Sequence, residues 1–263
     1  MLLFPAIDPV AVTLGSLQIH WYGLAYLTGI SLGWWILNRR AGGAPELWSR
    51  ENVSDIVFYA ALGAVLGGRV GYVLFYNFSE YMHDPLALFQ VWRGGMSFHG
   101  GVIGFISAMA LYARRFGRGF FEVVDFVVPV VPIGLFFGRI ANFVNQELWG
   151  APSNLPWAVL FTDPLAGGVA RHPTQLYEAG LEGIVLFLLL NRIWSRQPPR
   201  GVGAGTFLLA YGVFRCAVEF VREPDRQLGY LNGTWLTMGQ VLSIPMILTG
   251  LILILVGQAR RLR

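Results

Sequence analysis

Arginine, asparagine and tyrosine recur at helical spacing in two segments that are otherwise apolar. Arg139 and Asn142 lie three residues apart, and Tyr211, Arg215 and Glu219 follow one another at intervals of four. On an α-helix these intervals place the side chains on one face. Guanidinium groups bind phosphate oxygens through paired hydrogen bonds, and asparagine and tyrosine add further donors. The two stripes therefore predict a site for a phosphate-bearing ligand.

One histidine and one cysteine could add reactive groups. His99 stands within the segment 97–101, Ser-Phe-His-Gly-Gly, at the start of a long apolar stretch. An imidazole titrates near neutrality and is a natural general base, but an interfacial histidine hydrogen-bonded to backbone fits the spacing equally well. The single cysteine, Cys216, excludes an intramolecular disulfide and any cysteine-based metal motif, and is best explained by packing.

The composition defines the surroundings of these residues. Of 263 residues, 55% are hydrophobic and 13% are charged, about half the charged share of a soluble domain. Disordered chains show the opposite bias. All 19 basic residues are arginines, and they stand in small groups between apolar runs, so nucleic acid is not an expected partner. The composition predicts an all-α, polytopic membrane protein.

Seven windows of the chain reach the length of about 20 apolar residues that crosses a bilayer as a helix. Their approximate ranges are 17–37, 55–76, 95–113, 124–145, 175–194, 204–221 and 236–256. The loops 77–94 and 146–174 are rich in proline, glycine, tryptophan and acidic residues, and are candidate substrate-contacting segments. The chain has no long linker, so we expect a single integral membrane domain over residues 1–263.

The distribution of arginine between loops orients the predicted helices. Twelve arginines follow spans one, three, five and seven, whereas four stand in the loops on the other side. Because cytoplasmic loops carry the excess of basic residues, the C-terminus is expected in the cytoplasm and the N-terminus outside it. The loops 77–94 and 146–174 then face the periplasm.

This orientation places the polar residues of six helices in the outer half of the membrane. Arg69, Arg139 and Arg215 come late in spans that run outward, and His99 and Glu178 come early in spans that run inward. Ionisable residues at such depth usually face a bundle interior or a cavity. The pattern predicts about seven helices around a polar cavity that opens outward.

Pairing with acidic residues is the alternative explanation for the buried arginines. Intramembrane charges are usually partnered, and four glutamates stand in or beside the same segments: Glu147, Glu178, Glu182 and Glu219. For any one arginine, neutralisation explains the sequence as well as ligand binding does. The convergence of three arginines at one depth favours an anion site.

Several segments, in order and across nearly the whole chain, resemble the bacterial prolipoprotein diacylglyceryl transferases. They are 20–23, 67–72, 92–101, 138–150, 171–178, 211–225 and 236–240. The run 138–150, GRIANFVNQELWG, is similar to the signature of that family. One departure is Gln146, where the family pattern leads us to expect glycine or another small residue.

The resemblance implies a reaction on a lipid and a protein. A diacylglyceryl group moves from phosphatidylglycerol to the lipobox cysteine thiol in the signal peptide of a preprolipoprotein, a thioether forms and glycerol phosphate leaves. This is the first step of lipoprotein maturation at the bacterial inner membrane. The expected partners are these two substrates and membrane lipids, and no metal or cofactor is implied.

The resemblance also assigns site residues. The expected catalytic residues are His99, Arg139, Arg215, Tyr22 and Glu147. Phosphatidylglycerol is expected to contact Arg139, Arg215, Asn142, Tyr211, Glu219 and Gly150, and the depth argument adds Arg69. Whether His99, Glu147 or Tyr22 takes the thiol proton stays open.

Two other functional classes compete with this interpretation. A transporter for an anionic solute would show inverted repeats and broken helices near the midplane, and only a weak Gly-Arg echo is present, at 68–69 and 138–139. An intramembrane serine hydrolase would need a Gly-x-Ser-x-Gly-like turn beside a histidine, and Ser97 near His99 is the only candidate.

Overall fold

The computed structural model describes residues 1–5, 7–43, 47–76, 78, 83–90, 94–224, 229–231 and 233–261. It is mostly helical, which confirms the predicted class of all-α polytopic membrane protein. The chain forms two compact units. The first comprises Met1–Gly33 with Asp125–Arg263, and the second comprises Trp34–Val124.

The elements are named here in chain order. The α-helices are α1 (Trp21–Gly43), α2 (Arg50–Tyr76), α3 (Phe98–Arg115), α4 (Phe120–Val127), α5 (Val131–Val144), α6 (Thr174–Glu178), α7 (Leu186–Trp194), α8 (Val202–Glu219) and α9 (Met238–Arg261). The strands are β1 (Leu2–Leu3), β2 (Val10–Leu14), β3 (Leu17–His20), β4 (Val159–Leu160) and β5 (Ala170–Arg171).

Helices stand at all seven predicted spans. Four helical stretches are long and apolar enough to cross a membrane by length and composition alone: Arg50–Tyr76, Phe120–Val144, Val202–Glu219 and Met238–Arg261. The first predicted span began too early, because residues Leu17–His20 pair as β3 with β2 and the helix begins at Trp21. A hydrophobic window cannot separate a short apolar strand from the helix that follows it.

Two of the membrane segments contain irregular turns. A 3-10 turn at Val128–Val130 joins α4 to α5, where Pro129 and Pro132 lack the N–H groups that a continuous α-helix needs. A π-helical segment, Ala179–Val185, joins α6 to α7. Such segments occur often at functional sites.

Glycines bring helices together within each unit. In the second unit, a Cβ on Gly71 of α2 would lie 2.8 Å from the Cα of Gly100 in α3. In the first unit, a Cβ on Gly250 of α9 would lie 2.6 Å from the carbonyl oxygen of Gly205 in α8. Larger residues would force these backbones apart, so small residues fix the packing, as is usual in membrane helix pairs.

A small sheet follows the end of α5. β4 pairs in parallel with β1 and antiparallel with β5. Its core consists of Phe4, Val159, Phe161 and Ala166, against which Phe143 and Trp149 pack. The predicted loop 146–174 is thus an ordered segment that fixes the residues between α5 and α6. Of the other predicted outer loop, 77–94, the structure describes residues 78, 83–90 and 94.

Candidate active site

The charged side chains of four helical segments (α5, α6, the π-helical segment and α8) and of the turn after α8 meet inside the first unit. We call them the arginine–glutamate cluster, which consists of Arg139, Arg215, Arg222, Glu178, Glu182 and Glu219. Glu178, at the end of α6, is the centre. Its carboxylate lies 3.1 Å from Nε of Arg139 and 3.0 Å from Nη1 of Arg222, and it also accepts a hydrogen bond from Arg215.

The other two carboxylates extend the cluster to either side. Glu182, in the π-helical segment, lies 3.4 Å from Nη2 of Arg139. Glu219, on α8, pairs with Arg215 one turn earlier and accepts a hydrogen bond of 2.5 Å from the hydroxyl of Thr237. A Cβ on Gly239 would lie 2.7 Å from Oε1 of Glu219, so the absence of a side chain at position 239 makes space for this carboxylate.

The cluster holds equal numbers of arginines and glutamates, so the pairing predicted as the alternative is present. The two kinds of charge are not equally accessible, however. The side chains of Arg139 and Arg215 are each 16% exposed, whereas those of Glu178 and Glu182 are fully buried. The partly accessible groups are therefore guanidinium donors, and the buried carboxylates that pair with them hold those donors in place. The arrangement suits a group whose negative charge grows during a reaction.

A second group of predicted site residues stands at the C-terminal end of α5. Nδ2 of Asn142 donates to Oε1 of Glu147 at 2.7 Å and to the hydroxyl of Tyr22 at 3.5 Å. The backbone N–H of Glu147 donates to the carbonyl of Asn142 at 3.0 Å. The fully buried Gln175 donates to the carbonyl of Glu147 at 2.7 Å. Tyr22, Asn142 and Glu147 thus form one hydrogen-bonded group.

Gln146 departs from the expected small residue, and its backbone explains why a glycine would fit. Its φ is +53°, in the left-handed region that glycine adopts without strain. Oε1 of Gln146 accepts hydrogen bonds from the backbone N–H groups of Thr162 and Asp163, at 2.7 and 3.1 Å, and from the Thr162 hydroxyl. These bonds offset the cost of the conformation and tie the turn before Glu147 to the segment after β4.

Gly150 lies where backbone and side chains crowd together. A Cβ at this position would lie 2.5 Å from the carbonyl oxygen of Val221 and 2.6 Å from Cβ of His172. Its carbonyl accepts from Nη1 of Arg171, which also pairs with Glu223 at 2.5 Å. Gly150 therefore holds the segment 146–174 against the turn that follows α8.

Tyr211 lies on α8, one turn before Arg215, and is buried. Its ring stacks on that of Phe207, with centroids 5.7 Å apart. Tyr211, Arg215 and Glu219 follow one another on a single helix, as their spacing predicts.

The remaining predicted residues, His99 and Arg69, belong to the second unit. His99 is exposed in the first turn of α3, where the Ser97 side chain accepts from the N–H of Gly100. Arg69 is buried, and its guanidinium donates to the carbonyls of Leu88 and Gly94 at 2.8 and 2.6 Å. These bonds fasten the segment after α2, and the predicted contact of Arg69 with lipid stays a prediction.

Sequence reasoning left three members of the site outside its list. Glu178 and Glu182 were expected only as possible partners of arginine, and Arg222 as a loop residue. Arg222 stands three residues after Glu219, so continuing the stripe Tyr211–Arg215–Glu219 by one helical step would have included it. Among the described residues, no group of three or more histidine, cysteine, aspartate and glutamate side chains is arranged to hold a metal ion.

Fold and site together define a multi-pass membrane protein with the arginine–glutamate cluster among its helices. Comparison with known proteins specifies the class further. The family profile described as prolipoprotein diacylglyceryl transferase matches residues 9–256. The chain belongs to this family and is a transferase, which confirms the predicted resemblance and disfavours the transporter and hydrolase alternatives.

Curated relatives align with this chain over almost their whole length. A protein from Methylococcus capsulatus is 58% identical over 262 residues, 99% of each chain. One from Azotobacter vinelandii is 58% identical over 95% of this chain and 94% of the relative. One from Nitratidesulfovibrio vulgaris (strain DP4) is 56% identical over 98% of this chain and 97% of the relative. All three are named phosphatidylglycerol–prolipoprotein diacylglyceryl transferase.

Proposed function

We propose that this chain transfers the diacylglyceryl group of phosphatidylglycerol to the lipobox cysteine of prolipoproteins, the first step of their maturation. Family membership and the names of relatives at 56–58% identity support the two substrates. The cysteine sulfur forms a bond to the glycerol carbon of the diacylglyceryl group. The bond from that carbon to the phosphate oxygen breaks, and glycerol phosphate leaves with the electron pair.

The partial exposure of Arg139 and Arg215, each paired with a fully buried carboxylate, is the observation that carries this proposal. Expulsion of glycerol phosphate concentrates negative charge on phosphate oxygens. Two fixed guanidinium groups stabilise that charge without reorganising, which is usually the largest catalytic contribution. Arg139, Arg215 and Asn142 are proposed to bind the phosphate, with Tyr211, Glu219 and Gly150 shaping its surroundings.

The thiol must lose its proton to attack, because the thiolate is the nucleophile. His99 is exposed and is our proposed base. Glu147 already accepts a hydrogen bond from Asn142, and Tyr22 lies within 3.5 Å of the same amide. We assign Tyr22 and Glu147 to positioning Asn142.

The excess of arginine in four of the loops supports a multi-pass orientation in the bacterial inner membrane, with the N-terminus periplasmic and the C-terminus cytoplasmic. In that orientation the arginine–glutamate cluster lies toward the outer leaflet. The signal peptide of a secreted prolipoprotein also reaches this leaflet with its lipobox cysteine.

Purified protein in detergent, phosphatidylglycerol and a peptide with a lipobox cysteine test the proposal. Mass spectrometry is expected to find the peptide heavier by one diacylglyceryl group, in a bond that thiol reagents do not cleave. A peptide with serine in place of cysteine serves as the control. Absence of the adduct from folded protein across several anionic lipids would overturn the proposal.

A further inference from the structure

Glu182 carries a buried oxygen that nothing in the described part of the chain satisfies. Its side chain is fully buried. Oε2 contacts Nη2 of Arg139 at 3.4 Å, but Oε1 has no hydrogen-bond partner among the described residues. Leaving a buried acceptor unpaired costs free energy, more so for a charged group. An unpaired carboxylate oxygen at the edge of a ligand site therefore calls for a donor supplied by the ligand.

Glu178 differs from Glu182 in this respect. Its Oε2 also lacks a hydrogen bond of good geometry but lies 3.1 Å from Nε of Arg139, and its Oε1 is contacted by Arg215 and Arg222. Three guanidinium groups thus surround Glu178, whereas Glu182 has one long contact. Glu182 is the member of the arginine–glutamate cluster with capacity to accept another donor.

The position of Glu182 defines which donor fits. The two oxygens of a carboxylate share one carbon, so Oε1 lies near the guanidinium of Arg139, which we propose binds phosphate. In a phosphoglycerol head group, the two carbons that carry hydroxyl groups stand two and three bonds from the ester oxygen of the phosphate. One ligand can therefore place its phosphate on Arg139 and a hydroxyl on Glu182. A simple alkyl head group without hydroxyls offers the phosphate alone.

We propose that Glu182 selects phosphatidylglycerol among anionic lipids by accepting a hydrogen bond from a hydroxyl of its head-group glycerol. This inference rests on the proposed function and adds a specificity-determining residue to it. Glu182 stands in the π-helical segment Ala179–Val185, one turn beyond Glu178. From this segment its carboxylate contacts Arg139, and bond formation occurs elsewhere on the lipid.

The test compares two donor lipids that differ only in head-group hydroxyls: phosphatidylglycerol and phosphatidylpropanol. Wild-type protein is expected to favour phosphatidylglycerol by about 10- to 100-fold in kcat/KM, the effect of a hydrogen bond to a charged group. In Glu182→Gln, the amide oxygen stays with the Arg139 donor, so an NH2 group replaces the acceptor Oε1. In the variant, kcat/KM for phosphatidylglycerol is expected to fall to the value for phosphatidylpropanol, which itself stays unchanged. The ratio of the two kcat/KM values is then near one.

A matched control is Glu122→Gln, which neutralises a glutamate paired with Arg118 at 2.8 Å outside the cluster. It should keep the wild-type ratio. Equal rates for the two lipids in wild-type protein would overturn the inference without any variant. An unchanged ratio in Glu182→Gln, or equal loss from both lipids, would also overturn it, because Glu182 would then serve the cluster as a whole. Wild-type protein that modifies the peptide with neither lipid would instead overturn the proposed function.

Discussion

Arg139 and Arg215 share the fully buried carboxylate of Glu178, although they stand on different helices, α5 and α8. Glu178 is placed between them by α6, which ends at this residue. A buried carboxylate that left its partners would become an uncompensated buried charge, which is strongly unfavourable. It therefore holds two cations at a fixed separation. We attribute the capacity of the site to receive a phosphate to this arrangement.

Glu178→Gln removes the charge and keeps the shape of that central side chain. Three arginines lose a buried partner, and breaking such pairs costs about 3–5 kcal/mol. We expect a lower thermal denaturation midpoint in detergent. Glu122→Gln is the matched control, because its ion pair with Arg118 is partly exposed and contributes about 0–1 kcal/mol. Equal midpoints for the two variants would show that Glu178 is not a structural centre.

His99→Gln tests the proposed base. The substitution keeps a polar side chain in the first turn of α3 but cannot accept and release a proton at neutral pH. We expect kcat to fall by about 10²- to 10⁴-fold, the usual contribution of general base catalysis, with little change in KM for phosphatidylglycerol. Steady-state kinetics by mass spectrometry measure both constants. Retained turnover would reduce His99 to a structural role.

Gly150→Ala tests the contact between the segment 146–174 and the turn after α8. The added methyl would lie 2.5 Å from the carbonyl oxygen of Val221, and backbone must move to admit it. We expect a stability loss of about 1–3 kcal/mol and reduced transfer. Gly42→Ala is the control, because a Cβ there meets nothing within 4 Å. A Gly150→Ala protein with wild-type midpoint and rate would contradict this packing.

The sequence predicted the helical class and the stripe on α8 because both depend on local periodicity. Counting loop arginines predicted a common depth for Arg139 and Arg215, which stays a prediction, and both side chains contact Glu178. Which carboxylate joins them could not be deduced, since four glutamates were available and the choice depends on helix packing. Nor did the sequence reveal the positive φ of Gln146, whose stabilising bonds come from residues 162–163.

We propose that Arg139 stabilises the departing phosphate. The decisive measurement is the initial rate of diacylglyceryl adduct formation on a lipobox peptide by Arg139→Ala protein, with Arg192→Ala as a control at an exposed arginine of α7. We predict that Arg139→Ala loses at least about 100-fold in rate while it stays folded and inserted, and that Arg192→Ala matches the wild type. Near-normal adduct formation by folded Arg139→Ala protein would exclude Arg139 from this role.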